Sequence, residues 1–309
     1  MDLSSLLDDL ARRMQPKVKS LIITIYGDAI AHRGGNAWLG NVIALAALAG
    51  VQERAVRTAV FRLAQEGWLA SQQIGRRSYY RLTDDGRRRF DAVHQRLYHA
   101  PLRAWDHGWT VLALRSERLD AQARTQLERD LSWQGFGAHP CGVWLHPGPD
   151  DYLLEQMLAP ALRVGAVLVV RGPTLPMISA PVLRDTAQEC WRLEQLAGDY
   201  QAFLALFRPV WQTLRGPAPL DGAQAFALRT LLMHGYRRAC LRDPFLPAEL
   251  LPADWPGTPA RALCRNLYLR VQAAAEMHVA QLLETPEGPS MPPQASYYAR
   301  FGGLEVPVV

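Results

Sequence analysis

Residues 52–66 read Gln-Glu-Arg-Ala-Val-Arg-Thr-Ala-Val-Phe-Arg-Leu-Ala-Gln-Glu. Set on a helix, with about 100° between successive residues, they divide into two sides. Ala55, Val56, Ala59, Val60 and Leu63 fall together as a packing face, and Arg54, Arg57, Thr58, Phe61 and Gln65 fall opposite. Arginine donates two hydrogen bonds to a guanine edge, and an apolar ring meets a thymine methyl, so the outward set suits a DNA major groove. A solvated arginine face is the plain alternative, and Phe61 has a second outlet in packing against the first helices.

Further on, Leu69–Ile74 and Tyr79–Leu82 flank the turn Gly75-Arg-Arg-Ser78. Two short strands around a glycine turn form a hairpin, here the wing of a winged helix-turn-helix. Arg76 and Arg77 at its tip are placed to reach phosphates or the electronegative minor groove. Tyr79 and Tyr80 alternate in direction, one for the core and one for a phosphate. Arg33 and the Gly40–Asn41 region are further backbone-contact candidates, with a structural role in the turn equally open to Arg33. Arg87, Arg88 and Arg89 read mainly as a solvated charge run.

These groups need scaffolding, and the sequence supplies it. Leu3, Leu6, Leu7, Leu10 and Met14 give a leading helix, and Val18–Ile30 gives a second, broken by His32-Arg-Gly-Gly35. Trp38–Ala49 is a third, with Gly50 at its C-terminal cap. The reading helix then runs to Glu66. Thr83 caps an exit helix that continues to His99. Residues 1–100 hold 15 Lys and Arg against 9 Asp and Glu, whereas the remaining 209 hold 19 against 20. The excess positive charge of the chain (+5 overall) therefore lies in its first third, which points to a polyanionic partner for that module alone.

From 101 to 180 strands and helices alternate. Trp109–Leu114, a helix capped by Asp120, Cys141–Leu145, a helix from Asp151 and Ala166–Val170 predict a ferredoxin-like domain. Residues 181–309 are mostly helical, with Leu183–Leu214, Ala223–Cys240 and Thr258–Glu284 separated by a proline-rich connection. The expected architecture is thus α+β and multidomain: winged helix-turn-helix at 1–100, ferredoxin-like centre at 101–180, helical C-terminal domain at 181–309. The four cysteines lie far apart and read as small buried apolar side chains. No apolar run reaches membrane-spanning length and the N-terminus lacks signal-peptide character, so a cytoplasmic protein is expected. A ferredoxin-like domain can host a metal-dependent nuclease, but its first strand ends Ala113-Leu-Arg115-Ser116, without the acid such an enzyme needs. With no phosphate loop, nucleophile elbow or metal signature either, a non-enzyme is expected. No metal and no cofactor are expected.

The segments Tyr26-Gly-Asp28, His32-Arg-Gly-Gly35, Trp38-Leu-Gly40, Val56-Arg-Thr58, Phe61-Arg-Leu63, Glu66-Gly-Trp-Leu69 and Ile74-Gly-Arg-Arg-Ser78 resemble the phenylacetic acid degradation repressor (PaaX) family. The likeness runs on in order through Trp133–Ala138, Tyr236-Arg-Arg238, Asp243-Pro244, Glu249–Pro252 and Arg300–Leu304. It implies a repressor of phenylacetate catabolism genes that binds palindromic double-stranded operator DNA as a homodimer and is released by phenylacetyl-coenzyme A. A different aromatic acyl-coenzyme A, or the free acid, is the alternative effector. Such a ligand needs an apolar slot and cationic groups for its phosphates. Tyr236, Arg237, Arg238, Arg242 and Trp255 offer both. Trp133, Phe136 and Trp144 are further slot candidates, or core. Adjacent on a helix, Arg237 and Arg238 cannot both be buried on one side.

Overall fold

A computed structural model describes residues 3–99, 105–149, 151–216 and 219–304; the boundary expected at Pro101 lies outside them. Along the chain, α1 (Leu3–Met14) and α2 (Val18–Ile25) precede β1 (Asn36–Trp38), α3 (Leu39–Ala47) and α4 (Glu53–Gln65). The wing strands β2 (Leu69–Ile74) and β3 (Arg77–Leu82) lead into α5 (Asp84–Tyr98). Next come β4 (Gly108–Leu114), α6 (Ala121–Trp133), β5 (Gly137–Ala138), β6 (Val143–His146), α7 (Asp151–Arg163) and β7 (Val167–Pro173). Helices α8 (Ala180–Trp191), α9 (Leu193–Thr213), α10 (Gly222–Cys240) and α11 (Gly257–Leu282) follow. A small hairpin, β8 (Glu284–Thr285) and β9 (Gly288–Pro289), and the short α12 (Ala295–Tyr298) complete the described elements.

The chain forms two compact units: residues 1–100, 200–241 and 257–309 make the first, and residues 101–199 and 242–256 the second. Helix α8 therefore belongs to the second unit, whereas the N-terminal module, most of α9 and helices α10 and α11 are one body, built around α10. This helix buries residues on all sides, from Ala225 to Cys240, because α11, α1, α2 and α5 surround it. In the module, α2, α3 and α4 close over Leu21, Ile22, Ile25, Val42, Leu45, Val56, Val60 and Leu63. β3 is central in the wing sheet, paired with β2 and with β1, a strand that local periodicity does not announce. Thr83 Oγ1 accepts from Gly86 N at 2.9 Å, the cap expected of α5. Gly50 takes the left-handed conformation at φ 78°.

Val18–Ile30 does not stay α-helical. After Ile25 it widens into a π-turn over Tyr26–Ile30 and tightens into a 3-10 turn over Ala31–Arg33. Along this irregular stretch Asp28, His32 and Arg33 are all buried.

In the second unit the four-stranded antiparallel sheet has the order β5-β6-β4-β7. Together with α6 and α7 this is the ferredoxin-like βαββαβ arrangement. Its core gathers Leu112, Leu127, Leu131, Phe136, Leu154 and Leu158, with Trp144 packed against it.

Candidate nucleic-acid interface and its buried anchor

The four residues that α4 buries, Val56, Ala59, Val60 and Leu63, recur at helical spacing and seat it on the module. Arg54, Arg57, Thr58, Phe61 and Gln65 are all exposed. Phe61 is 58% exposed, so the outlet of packing against the first helices is not used. Arg57 Nη2 lies 2.6 Å from Glu53 Oε1 one turn back, an exposed pair of small worth that a base edge can displace. Thr58 Oγ1 donates to the Arg54 carbonyl at 3.0 Å.

Sequence reasoning passed over part of this surface. Arg62 of α4 is exposed and lines, with Arg54 and Thr58, an open recess that Lys17 and Lys19 also line. Lys19 pairs with Glu66. The two lysines straddle the start of α2, and only the fold brings them beside α4.

At the wing, Gly75 makes the turn at φ 59° and Arg76 is exposed at the tip. Arg77 is engaged otherwise, with its guanidinium 4.4 Å from the Trp38 ring centroid and paired with Glu284 of the β8–β9 hairpin. Tyr79 belongs to the core, and Tyr80 is half-buried. Arg88 and Arg89 both pair with Asp85, as a solvated run would.

Two of the candidate backbone contacts serve the interior instead. Asn41 is buried, and its Oδ1 accepts from Glu284 N at 2.9 Å. Arg33 takes the structural role: it is 3% exposed and lies 2.6 Å from Glu276 Oε2. No phosphate outside can reach such a group.

Arg33 belongs to a buried ionic cluster. Arg229 Nε stands 2.8 Å from Asp28 Oδ2, and its Nη1 stands 2.7 Å from Glu276 Oε1. Arg300 Nη1 donates to Asp28 Oδ1 at 3.1 Å, to the Asp28 carbonyl at 3.0 Å and to Tyr268 Oη at 2.6 Å. Tyr98 and Tyr268 hydroxyls donate to Asp28 Oδ1 at 2.6 and 3.0 Å. Burial works against the Asp28 carboxylate, yet Arg229, Arg300 and the Tyr98 hydrogen bond hold its pKa below the usual value. Glu276 is lowered likewise, burial being outweighed by Arg229, His32 and Arg33. His32 stacks on Tyr297 at 4.5 Å and is pushed down to about 4, chiefly by burial, so it stays neutral. Three guanidiniums thus face two carboxylates.

The expected effector residues are divided between the two units. Tyr236 is 1% exposed within an aromatic core with Phe203 and is closed to a ligand. Arg237 is half-buried and donates to Ser20 Oγ at 2.8 Å, whereas Arg238 is exposed, as their adjacency requires. In the second unit Arg242 pairs with Asp199, Trp255 is buried, and Trp133 is 40% exposed on α6. Trp144 and Phe136 join the core there.

Three family models match in chain order: PaaX-like protein over residues 17–86, PaaX protein central Cas2-like domain over 102–172, and PaaX-like protein C-terminal domain over 191–281. The chain is 41% identical over 288 residues to the transcriptional repressor PaaX of Escherichia coli (strain K12), covering 93% of this chain and 90% of that one. Among solved structures it is similar to the uncharacterized protein Rv0674 from Mycobacterium tuberculosis, with 28% identity, a TM-score of 0.47, and coverage of 76% of this chain and 90% of that chain.

Proposed function

The chain belongs to the PaaX-like protein family, and from that premise we propose that it is a DNA-binding transcriptional repressor of phenylacetate catabolism genes. It reads a palindromic operator as a homodimer and leaves it when phenylacetyl-coenzyme A binds. The observation that carries this reading is the outward face of α4, where Arg54, Arg57, Thr58, Phe61 and Gln65 stand exposed together. An exposed phenylalanine among arginines has no use in a solvated face, but it does have one against a thymine methyl. Lys17, Lys19, Arg62 and Arg76 add the charge that phosphates require. A palindrome read by one helix per chain sets two α4 helices about one turn of DNA apart, or a multiple of it.

Release works through geometry. The excess positive charge lies in residues 1–100, on the module that carries the α4 face, and the rest of the chain is close to neutral. The effector therefore has to favour a conformation in which the reading helices are mis-spaced, since only differential affinity moves such an equilibrium. Linkage then requires operator DNA to weaken effector binding by the same factor.

Fluorescence anisotropy on a duplex from upstream of the phenylacetate genes tests the reading, with phenylacetyl-coenzyme A, other aromatic acyl-coenzyme A esters and free phenylacetate added in turn. Specific binding, reversed by phenylacetyl-coenzyme A at the lowest concentration, is the expected result. Binding that no ester reverses would refute the effector, and a monomer by light scattering both free and on DNA would refute the dimer.

A further inference from the structure

A thiol, an imidazole and a carboxylate meet in the second unit, apart from the DNA-reading face. Cys141 lies in the tight connection between β5 and β6, where His139 N donates to the Val143 carbonyl at 2.8 Å and Gly142 N to the His139 carbonyl at 2.9 Å. It is exposed, whereas Cys190, Cys240 and Cys264 are buried. The expectation of four buried cysteines therefore fails at Cys141, because a surface turn gives its side chain no core to enter. Its Sγ stands 2.9 Å from His139 Nδ1. The same Nδ1 accepts from Cys141 N at 3.2 Å, and a backbone N–H can only donate, so the proton of the neutral imidazole sits on Nε2. Nε2 in turn faces Glu189 Oε2 at 3.7 Å. A nucleophile, a base within hydrogen-bond reach and a third group that orients the base make up the arrangement that activates a thiol. Pro140 between the two residues, with φ fixed by its ring, stiffens their spacing.

A second thiol is at hand. Cys190 follows Glu189 on α8, and α8 lies close against β5: a Cβ on Gly137 would stand 2.8 Å from Cys190 Cβ and 2.5 Å from the Trp191 ring. The missing side chain at Gly137 thus lets α8 bring Glu189 to His139, with Cys190 beside it. Burial pushes the Cys190 thiol up to about 12, and the neighbouring charges of Glu189 and Cys141 act in the same direction. Cys190 is therefore a poor first nucleophile, and the exposed Cys141 with its imidazole is the one that meets a reagent.

We propose that Cys141 is an oxidant-reactive thiol that takes a hydroperoxide as its reagent, with His139 as its base and Cys190 as its disulfide partner. His139 Nδ1 takes the Cys141 proton, and the sulfur attacks one peroxide oxygen. The S–O bond forms as the O–O bond breaks, and the other oxygen leaves with the proton from Nδ1, as water or an alcohol. Cys141 is then a sulfenic acid, oxidised by two electrons, and the peroxide is reduced. The Cys190 sulfur next attacks the Cys141 sulfur. The S–S bond forms, the S–O bond breaks, and that oxygen leaves as water with the Cys190 proton. A hydroperoxide fits better than an alkylating electrophile, because only oxidation gives the second thiol a use.

The experiment treats the full chain with hydrogen peroxide, quenches with iodoacetamide and follows each cysteine by mass spectrometry. It is run on the unsubstituted protein and on His139→Ala, His139→Gln and Cys190→Ala, whose folding is checked by thermal melting. Cys141 should be consumed first and be recovered in a peptide joined to Cys190. In Cys190→Ala it should stop at the sulfenic acid, which dimedone traps. His139→Ala should slow the loss of the Cys141 thiol by about tenfold or more. His139→Gln keeps an acceptor for the Cys141 N–H but no base, so it should be as slow as His139→Ala. A normal rate in His139→Gln would mean that the imidazole only shapes the turn, and would overturn the proposal. Consumption of Cys141 no faster than that of a cysteine in a short unstructured peptide overturns it as well. A disulfide formed between two chains, and none to Cys190, overturns the pairing.

Discussion

Arg229 Nε and Asp28 Oδ2 lie 2.8 Å apart with both side chains buried, one on the central helix α10 and the other on the π-turn that follows α2. Through this pair, and through Glu276 and Arg300 beside it, the DNA-reading module is fastened to the C-terminal helices by charge as well as by apolar packing. Such a cluster is conditional. Whole, its desolvation is offset by mutual attraction; with one member gone, the others are stranded.

Arg229→Ala should therefore cost about 3–5 kcal/mol, the range for breaking a buried pair, because Asp28 and Glu276 are left facing each other. Arg77→Ala, which removes an exposed partner of Glu284, should cost less than about 1 kcal/mol. Urea denaturation of both variants checks the contrast. Comparable losses would mean that the cluster is not what holds the unit together.

Stability should also fall as pH drops below the ordinary histidine range. Burial, the largest cause in each case, moves His32 and His234 from 6.5 down to about 4 and His94 down to about 3. Above about pH 6.5 these groups are neutral in both states and contribute nothing. Between about 6.5 and 4 the unfolded chain takes up protons that the folded one refuses, so folding weakens by up to about 1.4 kcal/mol per pH unit for a group like His32. The carboxylates Asp28 and Glu276, held low, begin to lose their contribution near pH 5, so the histidine effect is read between about pH 6.5 and 5. Urea midpoints from pH 7 to 4.5 should decline, with a shallower slope in His32→Asn. A flat profile would refute the neutral, buried imidazoles.

The two arginines at the wing should behave differently. Arg76→Ala removes an exposed tip charge and should weaken operator and random duplex alike, lowering the salt slope by about one phosphate contact. Arg77 is engaged by Trp38 and Glu284, so Arg77→Ala should leave both affinities nearly unchanged. Equal effects of the two substitutions on DNA would show that Arg77 leaves those partners when DNA binds.

What the sequence disclosed follows from the range of each signal. The two sides of α4, the Thr83 cap, the Gly50 cap and the ferredoxin-like alternation are local patterns, and all appear in the fold. The ionic cluster is not local: Arg300 and Asp28 are 272 residues apart, and no periodicity couples them. Tyr26-Gly-Asp28 and Arg300-Phe-Gly-Gly-Leu304 stood out as family segments without any chemistry to join them. One clue was present. Arg229 is a lone charge inside Phe226-Ala-Leu-Arg-Thr-Leu-Leu-Met233, and a charge on a helix buried all round has to meet its opposite. His32 and Arg33 were hidden as well, because they lie in the break after Ile30, where no periodicity assigns a side.

The most direct test of the account is the operator affinity of Arg57→Ala set against its affinity for random duplex of equal length, both by fluorescence anisotropy at one salt concentration. Arg57 lies at the middle of the exposed face of α4, free to exchange Glu53 for a guanine edge. The account predicts a loss of about 1–3 kcal/mol on the operator, the worth of a bidentate base contact, with a much smaller loss on random DNA. Equal losses on the two duplexes, or none on either, would contradict α4 as the element that reads sequence.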